Sequence, residues 1–161
     1  MQIRDATQDD WPAMWPFMHE IIAAGDTYAY DTDMTEQRGR DIWLLPPPGR
    51  TVVAVDGDTV LGTAKMNPNQ GGPGSHIASA SFMVDGRHRG RGVGRALGEY
   101  TLDWARAEGY RGMQFNAVVS ANTPAVTLWQ ALGFEVIGAI PEGFRHPSQG
   151  YVDLYIMYRP L

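Results

Sequence analysis

Apolar and polar residues follow two different periods along this chain, and the switch between them predicts a mixed order of strands and helices. Short alternating or continuous apolar runs predict seven strands, at 3–6, 51–55, 59–66, 77–84, 113–119, 134–140 and 151–157. Apolar residues three and four positions apart predict four helices, which start near residues 11, 35, 93 and 123. A loop is expected at 141–150, between the last two strands.

Local signals mark the ends of these helices. Thr7 and Asp10 resemble a capping box before the first helix, and Gly25 follows its last turn. Pro16 is expected to kink or divide this helix, and Thr123 is expected to cap the fourth one. Core packing is the simplest interpretation of the apolar stripe on the first helix, Trp11, Met14, Trp15, Met18, Ile21 and Ile22.

The long helix that starts near residue 93 connects the strand 77–84 to the strand 113–119. A crossover helix joins parallel neighbouring strands, so a parallel pair is expected at the centre of the sheet. The predicted fold class is α/β (α+β, with a mixed sheet), with about six to seven strands flanked by about four helices. The length suits a single domain, 1–161.

Composition narrows the classes of function. Hydrophobic residues make up 43% and charged residues 19%, and no apolar run approaches a membrane span, so neither a membrane nor a secretory address is expected and the cytoplasm is the predicted location. The net charge of −5 argues against a nucleic-acid partner and suits a cationic substrate. The chain has no cysteine, which excludes an acyl-cysteine intermediate, and its four histidines show no metal-ligand spacing, so no metal is predicted.

One basic stretch interrupts this acidic background. Four arginines and one histidine fall within residues 87–95, where three glycines alternate with other residues before the long helix. Glycines let backbone amides approach a ligand, and a helix start offers free N–H groups, so the stretch predicts a phosphate site. A P-loop is excluded because no Gly-Lys-Ser/Thr follows, and G-x-G-x-x-G is completed from neither Gly90 nor Gly92.

The pattern that remains is R-x-x-G-x-G, at Arg89, Gly92 and Gly94. After a strand that ends at Val84, it resembles the acyl-CoA pyrophosphate loop of the GCN5-related N-acetyltransferase (GNAT) superfamily. The alternative interpretation is a flexible basic turn before an ordinary helix.

A second stretch, 122–134, resembles the later motif of the same superfamily, N-x-x-A-x-x-L-Y-x-x-x-G-F, with Trp129 in place of the tyrosine. The tail at 151–157 resembles the usual last strand. The resemblance therefore covers essentially the whole chain, and it implies acetyl-CoA as co-substrate.

The resemblance also implies how the donor is held. The strand at 82–84 would open slightly, so that its backbone binds the pantetheine arm and polarises the acetyl carbonyl. Loop amides would hold the pyrophosphate, and arginine side chains would pair with the outer phosphate. The implied donor contacts are Phe82, Met83, Val84, Arg89, Gly90, Arg91, Gly92, Val93, Gly94, Arg95, Asn122, Ala125 and Trp129.

In the superfamily's layout the connection after the first helix lies over the acceptor site. Tyr28 and Tyr30 are therefore candidate substrate contacts, with a packed loop as the alternative.

Two positions depart from the family pattern, and both concern proton transfer. The usual acid toward the leaving thiolate is replaced by Trp129, whose indole N–H donates a hydrogen bond but no useful proton. The position comparable to the glutamate of phosphinothricin-type members is Ala80.

A general base must then come from elsewhere. Candidates are His76, Asn116 through an oriented water, Glu142 and His146, and a relay of ordered waters is an equal alternative. The stretch 140–147 resembles small-molecule acetyltransferases related to the phosphinothricin and amino-acid enzymes. The predicted function is direct transfer of an acetyl group to the primary amine of a small molecule, an amino acid or an amino-bearing toxin, in a ternary complex.

Two alternatives stay open at this point: a protein N-terminal or lysine acetyltransferase, and an acyl-CoA-binding module without catalysis. Trp129 and Ala80 favour the second of these. Many members of the superfamily pair, so a homodimer is also open. The sequence identifies neither the acceptor amine nor the base.

Overall fold

The computed structural model describes residues 1–161 and contains seven strands and four helices. The strands are β1 (Gln2–Asp5), β2 (Arg50–Asp56), β3 (Thr59–Pro68), β4 (Ile77–Val84), β5 (Gly112–Val119), β6 (Glu135–His146) and β7 (Gly150–Pro160). The helices are α1 (Trp11–Ala24), α2 (Glu36–Trp43), α3 (Val93–Ala107) and α4 (Thr123–Ala131). None of these helices combines the length and the apolar character needed to cross a bilayer.

All seven strands belong to one sheet, in the order β1-β2-β3-β4-β5-β7-β6. β4 and β5 are parallel, and α3 crosses between them, while every other neighbouring pair is antiparallel. The predicted mixed sheet with a central parallel pair is confirmed. The crossover helix explains this arrangement, because it returns the chain to the same end of the sheet before β5 begins.

Alternation along β4 divides its side chains between two apolar cores. Ala78 and Ala80 are buried in the core beneath α3 and α4, whereas Met83 is buried in the core beneath α1 and α2. The stripe predicted on α1 packs into this second core, where Trp11, Met14, Met18 and Ile22 are buried, with Trp15 and Ile21 partly buried against it.

Pro16 does not divide α1, which runs without a break from Trp11 to Ala24. The helix begins after the predicted capping box, in which the Thr7 N–H donates to Asp10 Oδ2 at 2.7 Å, and it ends at Gly25 with a φ of 65°. A proline interrupts only one turn of backbone hydrogen bonds, and burial of the apolar face of α1 offsets that loss.

Two local predictions near the end of the chain are wrong. The region 141–146 is not a loop, because β6 continues to His146 through an irregularity between Ile140 and Phe144, where Glu142 has a φ of 53°. A β-bulge accommodates turn-forming residues without ending the strand. In addition, Asn122 rather than Thr123 caps α4.

Candidate active site

A cavity lies where the two central strands separate. β4 and β5 are paired only at Ile77 with Gly112 and at Ala78 with Met113, and beyond these residues the strands diverge. β5 also loses its regular pairing with β7 between Phe115 and Val118. The resulting cavity has a volume of about 770 Å³ and runs from the start of α3 to the connection between α1 and α2. The opening expected at the end of β4 is therefore present.

The backbone of β4 directs polar groups that are not paired with any neighbouring strand toward this cavity. The Asp85 N–H donates to the Leu61 carbonyl at 2.9 Å, which continues the hydrogen-bonded pairs between β3 and β4. Such pairs alternate along antiparallel strands, so even-numbered residues of β4 direct their N–H and C=O groups away from β3. Phe82 and Val84 consequently present both groups at the open edge, which suits an extended ligand that carries amides.

The loop after β4 adds a concentration of free backbone donors. No backbone N–H from Arg89 to Arg95 donates a hydrogen bond to another atom of the protein, and the first bond of α3 runs from Ala96 N to Gly92 O at 3.0 Å. Gly90 and Gly92 have φ values of 76° and 75°, a conformation that side chains disfavour. Successive free N–H groups at a helix start form an anion site, so the predicted phosphate loop has the required geometry.

A buried carboxylate anchors the start of this loop. Asp85 is 1% exposed, and its side chain accepts hydrogen bonds from the Arg87 N–H at 3.0 Å and from Arg87 Nη2 at 2.7 Å. The hydrogen bond from the Arg87 guanidinium holds the pKa of Asp85 below its usual value. These hydrogen bonds hold the Arg87 side chain against Asp85, within the loop. His88 lines the cavity, and its Nε2 lies 4.0 Å from the Asp85 carboxylate.

The other three arginines of the stretch differ in their availability. Arg91 pairs with Asp56 at 3.0 Å and lies outside the lining of the cavity, so the structure separates it from the other predicted donor contacts. Arg95 lines the cavity but pairs with Glu99 at 2.9 Å. Arg89 lines the cavity without any ion pair. It is the arginine of this loop that is free to meet a ligand phosphate.

The second motif forms the facing wall. Asn122 caps α4 by accepting a hydrogen bond from the Ala125 N–H at 3.4 Å, and both residues line the cavity. Trp129 also lines it, packed between Phe82 at 4.6 Å and Phe115 at 4.9 Å between ring centroids. Its indole N–H donates no hydrogen bond within the protein. Trp129 thus forms an aromatic wall of the cavity.

Tyr28 and Tyr30, the predicted acceptor contacts, line the opposite end of the cavity. Their rings are stacked, with centroids 5.4 Å apart and an angle of 2° between planes. The Tyr28 hydroxyl accepts a hydrogen bond from the Phe82 N–H at 3.2 Å and donates one to the Phe82 carbonyl. Burial raises the pKa of both tyrosines, so both keep their protons at neutral pH.

Several residues of this end were missed in the sequence. They are Asp26, Thr27, Ser79 and Ser81. Asp26 contributes the one carboxylate of the lining, and it makes no ion pair within the chain. Asp26 lies in the polar connection after α1, and this position was the available signal that it could contact a ligand. The sequence did not distinguish it from the other carboxylates of that connection.

One of the four candidate bases lines the cavity, and the other three lie outside it. Asn116 lines the cavity, and its Nδ2 donates to Asn69 Oδ1 at 2.6 Å. His76, Glu142 and His146 lie outside the lining. The last two were expected in a loop, but β6 carries them on the edge strand, beyond β7 and away from the opening between β4 and β5. No three potential metal-ligating side chains gather anywhere in the structure.

Comparison with known proteins agrees with this geometry. The model of the acetyltransferase (GNAT) family matches residues 5–134. The L-amino acid N-acetyltransferase AaaT of Escherichia coli is 30% identical over 166 residues, which cover 98% of this chain and 96% of that protein.

Solved structures show the same architecture. A GCN5-related N-acetyltransferase from Kribbella flavida is 60% identical, with a TM-score of 0.97 over 99% of this chain and 97% of that one. A phosphinothricin acetyltransferase from Sinorhizobium meliloti, solved in complex with AcCoA, shares the fold at 24% identity, with a TM-score of 0.88 over 99% of this chain and 88% of that one.

Proposed function

Because this chain belongs to the acetyltransferase (GNAT) family and is therefore an acyltransferase, we propose that it moves an acetyl group from acetyl-CoA to the primary amine of a small molecule. The transfer is direct, within a ternary complex. A chain without cysteine has no thiol to form an acyl-enzyme, so attack of the amine on the thioester is the simplest course. Residues 1–161 act as one domain in this proposal.

The free backbone N–H groups from Arg89 to Arg95, next to the open edge of β4, carry the proposal. They suit the pyrophosphate of acetyl-CoA, and Arg89 suits its outer phosphate. Phe82 and Val84 would pair with the amides of the pantetheine arm. The wall formed by Asn122, Ala125 and Trp129 would enclose that arm, with Met83, Val93, Gly94 and Arg95 completing the lining.

The reaction needs a polarised carbonyl and a neutral amine. A Phe82 N–H directed at the thioester oxygen would stabilise the charge that develops there. Asn116 lines the cavity and would orient a water that accepts a proton from the amine. His76, Glu142 and His146 are less suitable bases because they lie outside the cavity.

The acceptor is proposed to be a small amine, an amino acid or an amino-bearing toxin. Asp26 places a carboxylate in the lining, and the chain carries a net charge of −5, which favours a cationic ligand. AaaT is named for acetylating L-amino acids, which supports this class of acceptor. A cytoplasmic location is proposed because the donor is found there.

Calorimetric titration with acetyl-CoA tests donor binding. Wild type should bind one acetyl-CoA per chain, and Gly94→Trp should bind none. A Cβ at Gly94 would lie 3.4 Å from Leu128 Cδ2, which also lines the cavity, so an indole there is expected to fill part of the cavity. Gly71→Trp is the matched control, because nothing lies within 4 Å of its Cβ position and it is outside the cavity. Loss of binding in both variants would contradict the proposed loop.

Release of CoA tests the acceptor. A thiol reagent detects it cleanly, since the chain contributes no cysteine. The panel comprises L-amino acids, their decarboxylated amines, phosphinothricin and short peptides with a free N-terminus. Release with small amines supports the proposal, whereas release with peptides alone would indicate a protein acetyltransferase. Binding of acetyl-CoA without release from any member would indicate a non-catalytic acyl-CoA-binding module.

A further inference from the structure

The proposed transfer leaves one group unassigned, the donor of a hydrogen to the departing sulfur. Trp129 stands where the family pattern has a tyrosine, and an indole N–H does not give up its proton. We propose that Tyr28, which approaches the opening from the opposite wall, is a catalytic residue that supplies this hydrogen. The inference rests on the proposed function.

The position of the Tyr28 hydroxyl is fixed by the strand that would hold the thioester. It accepts from the Phe82 N–H at 3.2 Å and donates to the Phe82 carbonyl, 54 residues away in sequence. These two backbone groups face the open edge of β4 and are the ones that a bound thioester would meet. The phenol oxygen would therefore lie next to a thioester held by the Phe82 backbone.

The ring of Tyr28 is also held in place. It stacks on Tyr30 and packs against the apolar core beneath α1 and α2. Thr27, Ser79, Ser81 and Tyr30 also line the cavity with hydroxyl groups, but none of these hydroxyls bonds to Phe82. Of the residues in the connection between α1 and α2, Tyr28 alone forms hydrogen bonds to β4.

The bonds and protons of this step balance. The neutral amine nitrogen bonds to the carbonyl carbon, and the C–S bond breaks with its electron pair on sulfur. As the phenol gives its proton to sulfur, the phenol oxygen takes a proton from the newly acylated nitrogen. The products are the amide, free CoA thiol and an unchanged tyrosine, without any oxidant or reductant.

The surroundings of Tyr28 require this exchange to be concerted, so that the phenol regains a proton as it gives one up. Burial raises the pKa of Tyr28 above its usual value, so the group is protonated at neutral pH and a phenolate does not persist. The thiolate is a fair leaving group, since thiol pKa values lie near about 8.5, so partial transfer of the proton in the transition state is sufficient.

Tyr28→Phe tests the proposal, with Tyr110→Phe as the matched control, because Tyr110 lies outside the cavity and its ring also packs against an aromatic ring, Trp104, at 5.1 Å between centroids. The acceptor is the panel amine that releases CoA fastest from wild type. For Tyr28→Phe, kcat should fall on the order of 100-fold, the lower end of what a positioned acid or base contributes. Its calorimetric Kd for acetyl-CoA should stay unchanged or decrease, because the Phe82 backbone is freed. Tyr110→Phe should resemble wild type in both quantities.

Two results with an active wild type would overturn the proposal. A kcat for Tyr28→Phe close to that of wild type would mean that Tyr28 only fills the opening. Loss of kcat together with acetyl-CoA binding would mean that its role is structural. Absence of CoA release from wild type itself would instead refute the proposed function, and the inference with it.

Discussion

At one end of the cavity the groups offered to a ligand are backbone amides of one continuous segment, 89–95, whereas at the other end they are side chains from the α1–α2 connection, β4 and β5. The first end is shaped by glycine conformation and by the start of a helix, both of which are local properties. The second end depends on how distant segments pack together.

This difference has a consequence for substitution. Backbone donors cannot be removed by changing a side chain, so the amide end is sensitive mainly to changes that alter its conformation. Side-chain contacts at the acceptor end can be removed one at a time. Variants of the amide end should therefore affect acetyl-CoA binding, and variants of the acceptor end should affect the amine.

Of three substitutions, Gly92→Ala, Arg89→Gln and Asp26→Asn, the first should have the largest effect. Gly92 lies at the start of α3 with a φ of 75°, and an L side chain there costs about 1–2 kcal/mol. Binding of acetyl-CoA must supply that energy to hold the N–H groups of residues 89–95 directed at the phosphate. The Kd for acetyl-CoA should therefore rise about fivefold to thirtyfold. Calorimetric titration measures this change.

Gly109→Ala is the matched control. Gly109 follows the other end of α3 with a φ of 83°, and a Cβ at either glycine meets nothing within 4 Å. Both variants should lose similar stability in thermal unfolding, but Gly109→Ala should keep its affinity for acetyl-CoA. An equal rise of Kd in both variants would show that general destabilisation, and not the conformation of the amide end, controls binding.

Arg89→Gln should have a smaller effect at the same end. Arg89 lines the cavity without a partner, but it is exposed, so its contact with a phosphate is partly screened and worth about 1 kcal/mol. The Kd for acetyl-CoA should rise about fivefold, and less in high salt. Arg91→Gln removes the same charge from a residue paired with Asp56 outside the cavity, and it should change Kd little. A larger effect at Arg91 would reverse the assignment.

The fold was predictable wherever local pattern and tertiary packing agree. The bounds of β4 and its division between two cores follow from alternation and from the crossover helix after it. The continuation of β6 was not predictable, because Pro141 and Gly143 are turn signals and only the pairing with β7 overrides them. Pro16 is similar, since the core that keeps α1 continuous is assembled from distant residues.

The candidate site, like the fold, has one part that was predictable from local pattern and one part that was not. The amide end was predictable from the spacing of Arg89, Gly92 and Gly94, because all its parts are contiguous. The hydrogen bonds between Tyr28 and Phe82 join residues 54 positions apart, and no local pattern encodes them. Ranking Asp26 above the neighbouring carboxylates likewise required the packed structure.

Asp26→Asn should have the smallest effect, and it tests whether the acceptor end acts through individual side chains. An exposed ion pair contributes up to about 1 kcal/mol, so the KM for the panel amine should rise about threefold while the Kd for acetyl-CoA stays constant. Asp31→Asn removes the same charge from the same connection, outside the cavity. An equal rise of KM in both variants would mean that binding of the amine depends on the total charge of the connection between α1 and α2, not on Asp26 itself. A rise in Asp26→Asn alone would mean that contact selects the amine, since a long-range field does not distinguish two carboxylates of one connection.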